Sequence, residues 1–174
     1  EIKGFATVKS DRSSFSRNLQ RKMIEMIFDG IPKADILDFI FKEVDAFYGK
    51  IYALEYIGIP KAITRDLDDY KVENPWVKGV KFSLSNVKGF TFSPKPLLLY
   101  VKPTVKYNTE SLCFNNENEV PEDIKIDYDR MLEVSVYNVI KNQLEILNVD
   151  TDILERYIHM KANNQMSLIK YGVT

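Results

Sequence analysis

From Ser13 to Phe28 the apolar residues Phe15, Leu19, Met23, Ile24, Ile27 and Phe28 recur at helical spacing, and Asp29-Gly30-Ile31-Pro32 ends the run. The preceding Ser-Asp-Arg-Ser-Ser supplies capping side chains. A second helix is predicted from Ala34 to Tyr48, with Ile36, Leu37, Ile40, Phe41, Val44 and Phe47 inward and Gly49 as its stop. The two should pair as a helical hairpin. The opening EIKGFATVKS alternates as a strand does, and residues 52–64 read as extended, broken at Gly58 and Pro60. Trp76 to Leu84 fits a short helix or a strand. Phe90-Thr91-Phe92 and Leu97 to Lys102 read as strands, and the polar residues 107–123 as a loop. Asp127 to Leu147 is the longest periodic segment, with a broad apolar face. A short helix from Thr151 to His159, capped by Thr151 or Asp152, follows it. The pattern describes one α+β domain over residues 1–160, mainly helical with a small β element. A flexible polar tail over residues 161–174 completes the chain.

Composition agrees with one domain. The chain has 174 residues, 45% of them hydrophobic and 28% charged, enough for one real core and too few for two. Its single cysteine, Cys113, cannot form an internal disulfide, and no apolar run approaches a membrane span or a signal-peptide core. A soluble intracellular protein is expected, with no membrane partner. A start at Glu1 rather than methionine is what a piece cut from a longer chain would show. The net charge of −1 hides an asymmetry. Residues 1–22 carry six Lys/Arg against two acids, and residues 76–106 carry six lysines against none. Residues 107–155 carry twelve acids against Lys125, Arg130 and Lys141. Basic segments brought together would face a polyanion while the acidic part faces away; unevenly charged solvated surface is the alternative.

Several chemistries are excluded. One histidine, His159, cannot build a histidine-based metal site or triad within the chain, and there is no Gly-rich phosphate loop or GxSxG elbow. Cys113, between Leu112 and Phe114, reads as a buried structural thiol. Asp66, Asp68 and Asp69 are more simply capping or solvated groups than cation ligands. No catalytic residue, metal ligand or cofactor is assigned to this chain.

Four segments, in order, resemble the thumb domain of an archaeal-type family B DNA polymerase. They are GFATVKSDRSSFSRNLQ; ITRDLDDYK with the following PWV; GFTFSPKPLLLYVK; and PEDIKIDYDRMLEVSVYNVIKNQLEIL. Asp68 and Trp76 depart from the family, which often has a basic residue and usually a histidine there. The resemblance implies a helical domain that closes on the primer-template duplex and holds it by its phosphates, without reading bases. It makes Lys9, Arg12, Arg17, Thr64, Arg65, Tyr70, Lys71 and Trp76 the candidate DNA-binding residues. Asp66 would orient Arg65 or cap the next turn. Catalysis, the Mg²⁺ ions and nucleotide binding would belong to a palm and fingers on other residues, either of the same polymerase chain or of a separately encoded subunit. In the tail, Gln165, Leu168 and Tyr171 fit the Q-x-x-aliphatic-x-x-aromatic spacing that docks on a sliding clamp, although Gly172 stands where a second bulky residue is usual. A noncatalytic interaction module derived from such a thumb is the alternative, favoured by the acidic segment.

Overall fold

The computed structural model describes the backbone of residues 10–170 and the side chains of residues 10–161. Helix α1 (Ser14–Phe28) begins at Ser13, whose hydroxyl accepts from the Ser16 N–H at 3.1 Å. It ends in a Schellman turn: the Ile31 N–H donates to the Met26 carbonyl (3.0 Å) and the Gly30 N–H to that of Ile27 (3.1 Å), with Gly30 at φ +70°. Helix α2 (Lys33–Tyr48) closes similarly, but the left-handed residue is Lys50, at φ +56°, and not Gly49, the stop the sequence predicts. A single turn, α3 (Leu54–Ile57), interrupts the stretch that reads as extended.

The sheet is small and antiparallel, in the order β1 (Ile59–Pro60), β2 (Leu97–Tyr100), β3 (Ser111–Phe114). Leu98 lies opposite both Ile59 and Cys113. Beyond β1 the pairing continues, because the Lys61 N–H donates to the Pro96 carbonyl (3.0 Å) and the Ile63 N–H to that of Pro94 (2.8 Å).

Helix α4 (Pro75–Asn86) resolves the ambiguous segment as helix and covers the outer edge of β3. An edge strand with buried, unpaired amides would be costly. The Ser83 hydroxyl removes that cost at one residue: it donates to the Cys113 carbonyl (2.7 Å) and accepts from the Cys113 N–H (3.1 Å). The Ser111 hydroxyl donates to the Pro75 carbonyl (2.7 Å) about two turns nearer the start of the helix. Gly79 permits the approach, since a Cβ there would stand 3.0 Å from Cys113 Sγ and 3.2 Å from the Leu112 backbone.

The remaining helices form a bundle on the other side of the core. Helix α5 spans residues 128–146 and contains a π turn, Glu133–Tyr137, between α-helical Tyr128–Leu132 and Asn138–Ile146. The Ser16 hydroxyl of α1 donates to the Ser135 carbonyl in that turn (2.7 Å), and Gln20 Nε2 donates to the Val139 carbonyl (3.3 Å), so α1 and α5 run parallel. Helix α6 (Asp152–Lys170) extends beyond the predicted His159 and opens with the Asp150 carboxylate accepting from the Asp152 N–H (3.0 Å). Asp150, rather than Thr151 or Asp152, thus supplies the cap. Phe41 of α2 stacks on Tyr157 of α6 at 4.2 Å. One continuous core joins bundle and sheet, including Phe15, Met23, Phe47, Leu98, Phe114 and Met131.

The described residues are therefore α+β, with six helices and a three-stranded sheet. None of these helices is long and apolar enough to cross a membrane. Two further local expectations fail. Residues 107–123 contain the wholly buried strand β3, and Phe90-Thr91-Phe92 is not a strand, the Thr91 carbonyl being satisfied by the Asn115 side chain (3.1 Å). The opening strand, up to Lys9, lies outside the described residues. Gly79→Ala should destabilise the domain by roughly 1–3 kcal/mol, because backbone of β3 would have to shift. A urea midpoint equal to that of the parent chain would contradict this close-packing account.

Candidate nucleic-acid interface

The N-terminal half of α1 presents cations outward because its apolar positions are used by the core. Arg17 Nη2 donates to Ser14 Oγ (3.1 Å), and Arg21 Nη2 to Asn18 Oδ1 (3.0 Å). Asn18 Nδ2 in turn donates to the Tyr56 hydroxyl (2.9 Å), which ties this face to α3. Ser14, Arg17, Asn18 and Arg21 line a shallow cavity of about 250 Å³. The Nε atoms of Arg12 and Arg17 are enclosed, and neither has a hydrogen-bond partner among the described residues. Lys9 lies outside them.

Beside Arg12 stands Lys61, which the sequence reading does not single out. Its backbone is held on the line of β1, and its Nζ sits 5.4 Å from the centre of the Trp76 ring. Burial lowers its pKa below the ordinary lysine value; the Asp11 carboxylate opposes that shift and the Arg12 guanidinium adds to it. A signal for this residue was present. Alternation along an extended chain puts Lys61 on the same face as the buried Ile59 and Ile63, an unusual place for a lysine. Trp76 is half-buried against the core on α4, with Lys61 above it.

The stretch from Thr64 to Lys71 is a turn fastened by its tyrosine. The Thr64 N–H donates to the Tyr70 hydroxyl (3.2 Å), and hydrogen bonding from Thr64 lowers the Tyr70 pKa, with Arg65 contributing less. Between them lies one 3-10 turn, Leu67–Asp69. Thr64, Arg65 and Lys71 are exposed. Of the two roles expected of Asp66, orienting Arg65 or capping the next turn, the structure does not show the second: its side chain makes no capping hydrogen bond. Farther on, Asp68 and Glu73 pair with Lys81 (3.5 and 3.2 Å).

Ion pairing divides the second basic segment, residues 76–106, whose Lys78, Lys88 and Lys95 form no ion pair among the described residues. Its other lysines meet acids: Lys81 as above, Lys102 with Asp129 (3.6 Å) and Lys106 with Asp123 (2.6 Å). The Asp123 hydrogen bond raises the Lys106 pKa, and Lys106 lowers that of Asp123. The acidic segment thus neutralises part of this basic one instead of facing away from it. Arg12, Arg17, Lys61, Arg65 and Lys71 form no ion pair among the described residues.

Other candidates are placed as follows. Cys113 is fully buried, and burial pushes its thiol up to about 12, as befits an inert structural group. No group of three or more His, Cys, Asp or Glu side chains is arranged to hold a metal ion among the described residues. The side chains of Gln165 and Leu168, and all of Tyr171, lie outside the described residues. No protein-family model matches the chain, and no curated protein matches it. The start of α1 meets the continuation of β1 at Arg12 and Lys61, and the turn over residues 64–71, with exposed Arg65 and Lys71, follows directly in the chain. Replacing Tyr70 by Phe should release the Thr64 amide, read as faster hydrogen exchange at that residue. Unchanged protection would show that the tyrosine hydroxyl does not hold the turn.

Proposed function

We propose that this chain is the thumb part of a family B DNA polymerase and grips the primer-template duplex through its phosphate backbone. The observation that carries this reading is the sorting of cations. Among the described residues, Arg12, Arg17, Arg65 and Lys71 form no ion pair, whereas three of the six lysines of the second basic segment are paired with carboxylates. Unpaired cations on a fixed edge suit phosphate oxygens, which carry full charge but no sequence information. The exposed Thr64 adds a hydroxyl donor at the same turn, while Tyr70 serves mainly to hold that turn. Trp76 supports the edge from within the core. The four ordered sequence motifs favour the polymerase thumb over other duplex-binding domains.

On this reading the chain contributes to DNA-directed nucleotidyl transfer without catalysing it. Mg²⁺, the nucleotide and the reacting 3′ end are held by palm and fingers on other residues. The tail with Gln165, Leu168 and Tyr171 supplies a candidate sliding-clamp contact.

Titration with primer-template DNA across a salt series tests the proposal. The expected log-log slope corresponds to several released counterions, about −0.9 for each phosphate neutralised. A slope near zero would reject the grip and leave the noncatalytic interaction module. Arg65→Ala should weaken binding to duplexes of different sequence by the same factor and make the slope shallower by about one. Sequence-dependent loss would contradict a phosphate role.

A further inference from the structure

We infer that Lys61, seated on the Trp76 ring beside Arg12, is an additional phosphate-oxygen subsite of the duplex-gripping edge. The inference rests on the duplex-binding reading and extends it to a residue outside the eight candidate contacts that the resemblance implies.

Three observations converge on Lys61. Its main chain is fixed, since the N–H donates to the Pro96 carbonyl at 3.0 Å and the neighbouring Ile63 is anchored to Pro94. Its side chain is directed, because Nζ lies 5.4 Å from the centre of the indole and the aliphatic stem has little room to wander over a ring that is itself packed against the core. Its charge is poorly compensated. Burial disfavours the ammonium, Arg12 repels it, and the opposing Asp11 forms no ion pair with it.

Two half-buried cations that form no ion pair among the described residues cost energy in the free protein. An arriving anion would recover that energy by interacting with both at once. A phosphodiester oxygen has the charge and the acceptor capacity to do so, and Arg12 and Lys61 can meet it as a planar fork and a compact point charge. The chemistry also fits free inorganic phosphate, so the two sources must be separated by experiment. Trp76 is then the platform that aims the ammonium, and it is covered by Lys61 instead of stacking on a base.

Trp76 is the only tryptophan in the chain, which makes the subsite directly observable. In the full chain, Trp76 emission should change on titration with duplex DNA and, at higher concentration, with inorganic phosphate. Lys61→Met keeps an apolar stem on the ring and removes the charge. It should abolish both responses and make the salt slope of duplex binding, followed by fluorescence anisotropy of a labelled duplex, shallower by about one. Lys61→Arg should keep the slope. If Lys61→Met fails to fold by circular dichroism, Lys61→Gln serves in its place. Unchanged slope and affinity in a folded Lys61→Met or Lys61→Gln protein would overturn the subsite while leaving duplex gripping intact. Absence of any duplex binding by the parent chain would instead reject the gripping reading. The phosphate titration would then decide the subsite: a Lys61-dependent Trp76 response would support it, and no response would overturn it.

Discussion

The close approach of α4 to β3 is the contact on which the rest of the arrangement depends. The sheet has only three short strands, and its outer edge would expose buried amides of β3 if no helix covered it. A single hydroxyl, that of Ser83, both donates to and accepts from Cys113, and Gly79 removes the side chain that would otherwise hold the helix off. Sheet and helix are thereby locked in one relative position. Lys61 belongs to the continuation of β1, and Trp76 to the first turn of α4, so the same contact determines that the ammonium meets the indole.

The second organising effect is electrostatic. Lys81, Lys102 and Lys106 are drawn to carboxylates that are distant or intermediate in sequence, and these exposed pairs change where the positive surface lies more than they change stability. Among the described residues, the cations left without an ion pair include Arg12 and Arg17 at the start of α1, Lys61, Arg65 and Lys71 farther on, and Lys78, Lys88 and Lys95 of the second basic segment. A segment's charge count therefore described its composition accurately and its surface poorly. Partners contributed by other segments decide which charges remain available to a ligand.

Legibility in the sequence followed the range of the interaction involved. Helices α1, α2 and α5 have apolar periodicity and local stop signals, and their observed bounds differ from expectation by a residue or so. Strand β3 was hidden because Ser-Leu-Cys-Phe is a four-residue run within polar sequence, and its strand character comes from pairing with β2 and cover by α4. Phe90-Thr91-Phe92 has the composition of a strand but no neighbour to pair with. Among the proposed contacts, Arg12, Arg17, Thr64, Arg65 and Lys71 come from the resemblance in sequence alone. Tyr70 could be named but not given its role, which needed the hydrogen bond to Thr64. Lys61 was missed although its alternation with Ile59 and Ile63 puts it on their face, because the sequence does not show that Trp76 and Arg12 meet it there.

Local chemistry in the sequence was sufficient for the α+β class, the main helices and the buried thiol, since periodicity, capping and side-chain type act over one or two turns of chain. Tertiary structure alone decided which lysines were neutralised, that Tyr70 holds a turn, and that Trp76 faces the core with Lys61 on its outer side. Those outcomes depend on groups separated by tens of residues being brought within a few ångströms, and no local pattern encodes that meeting.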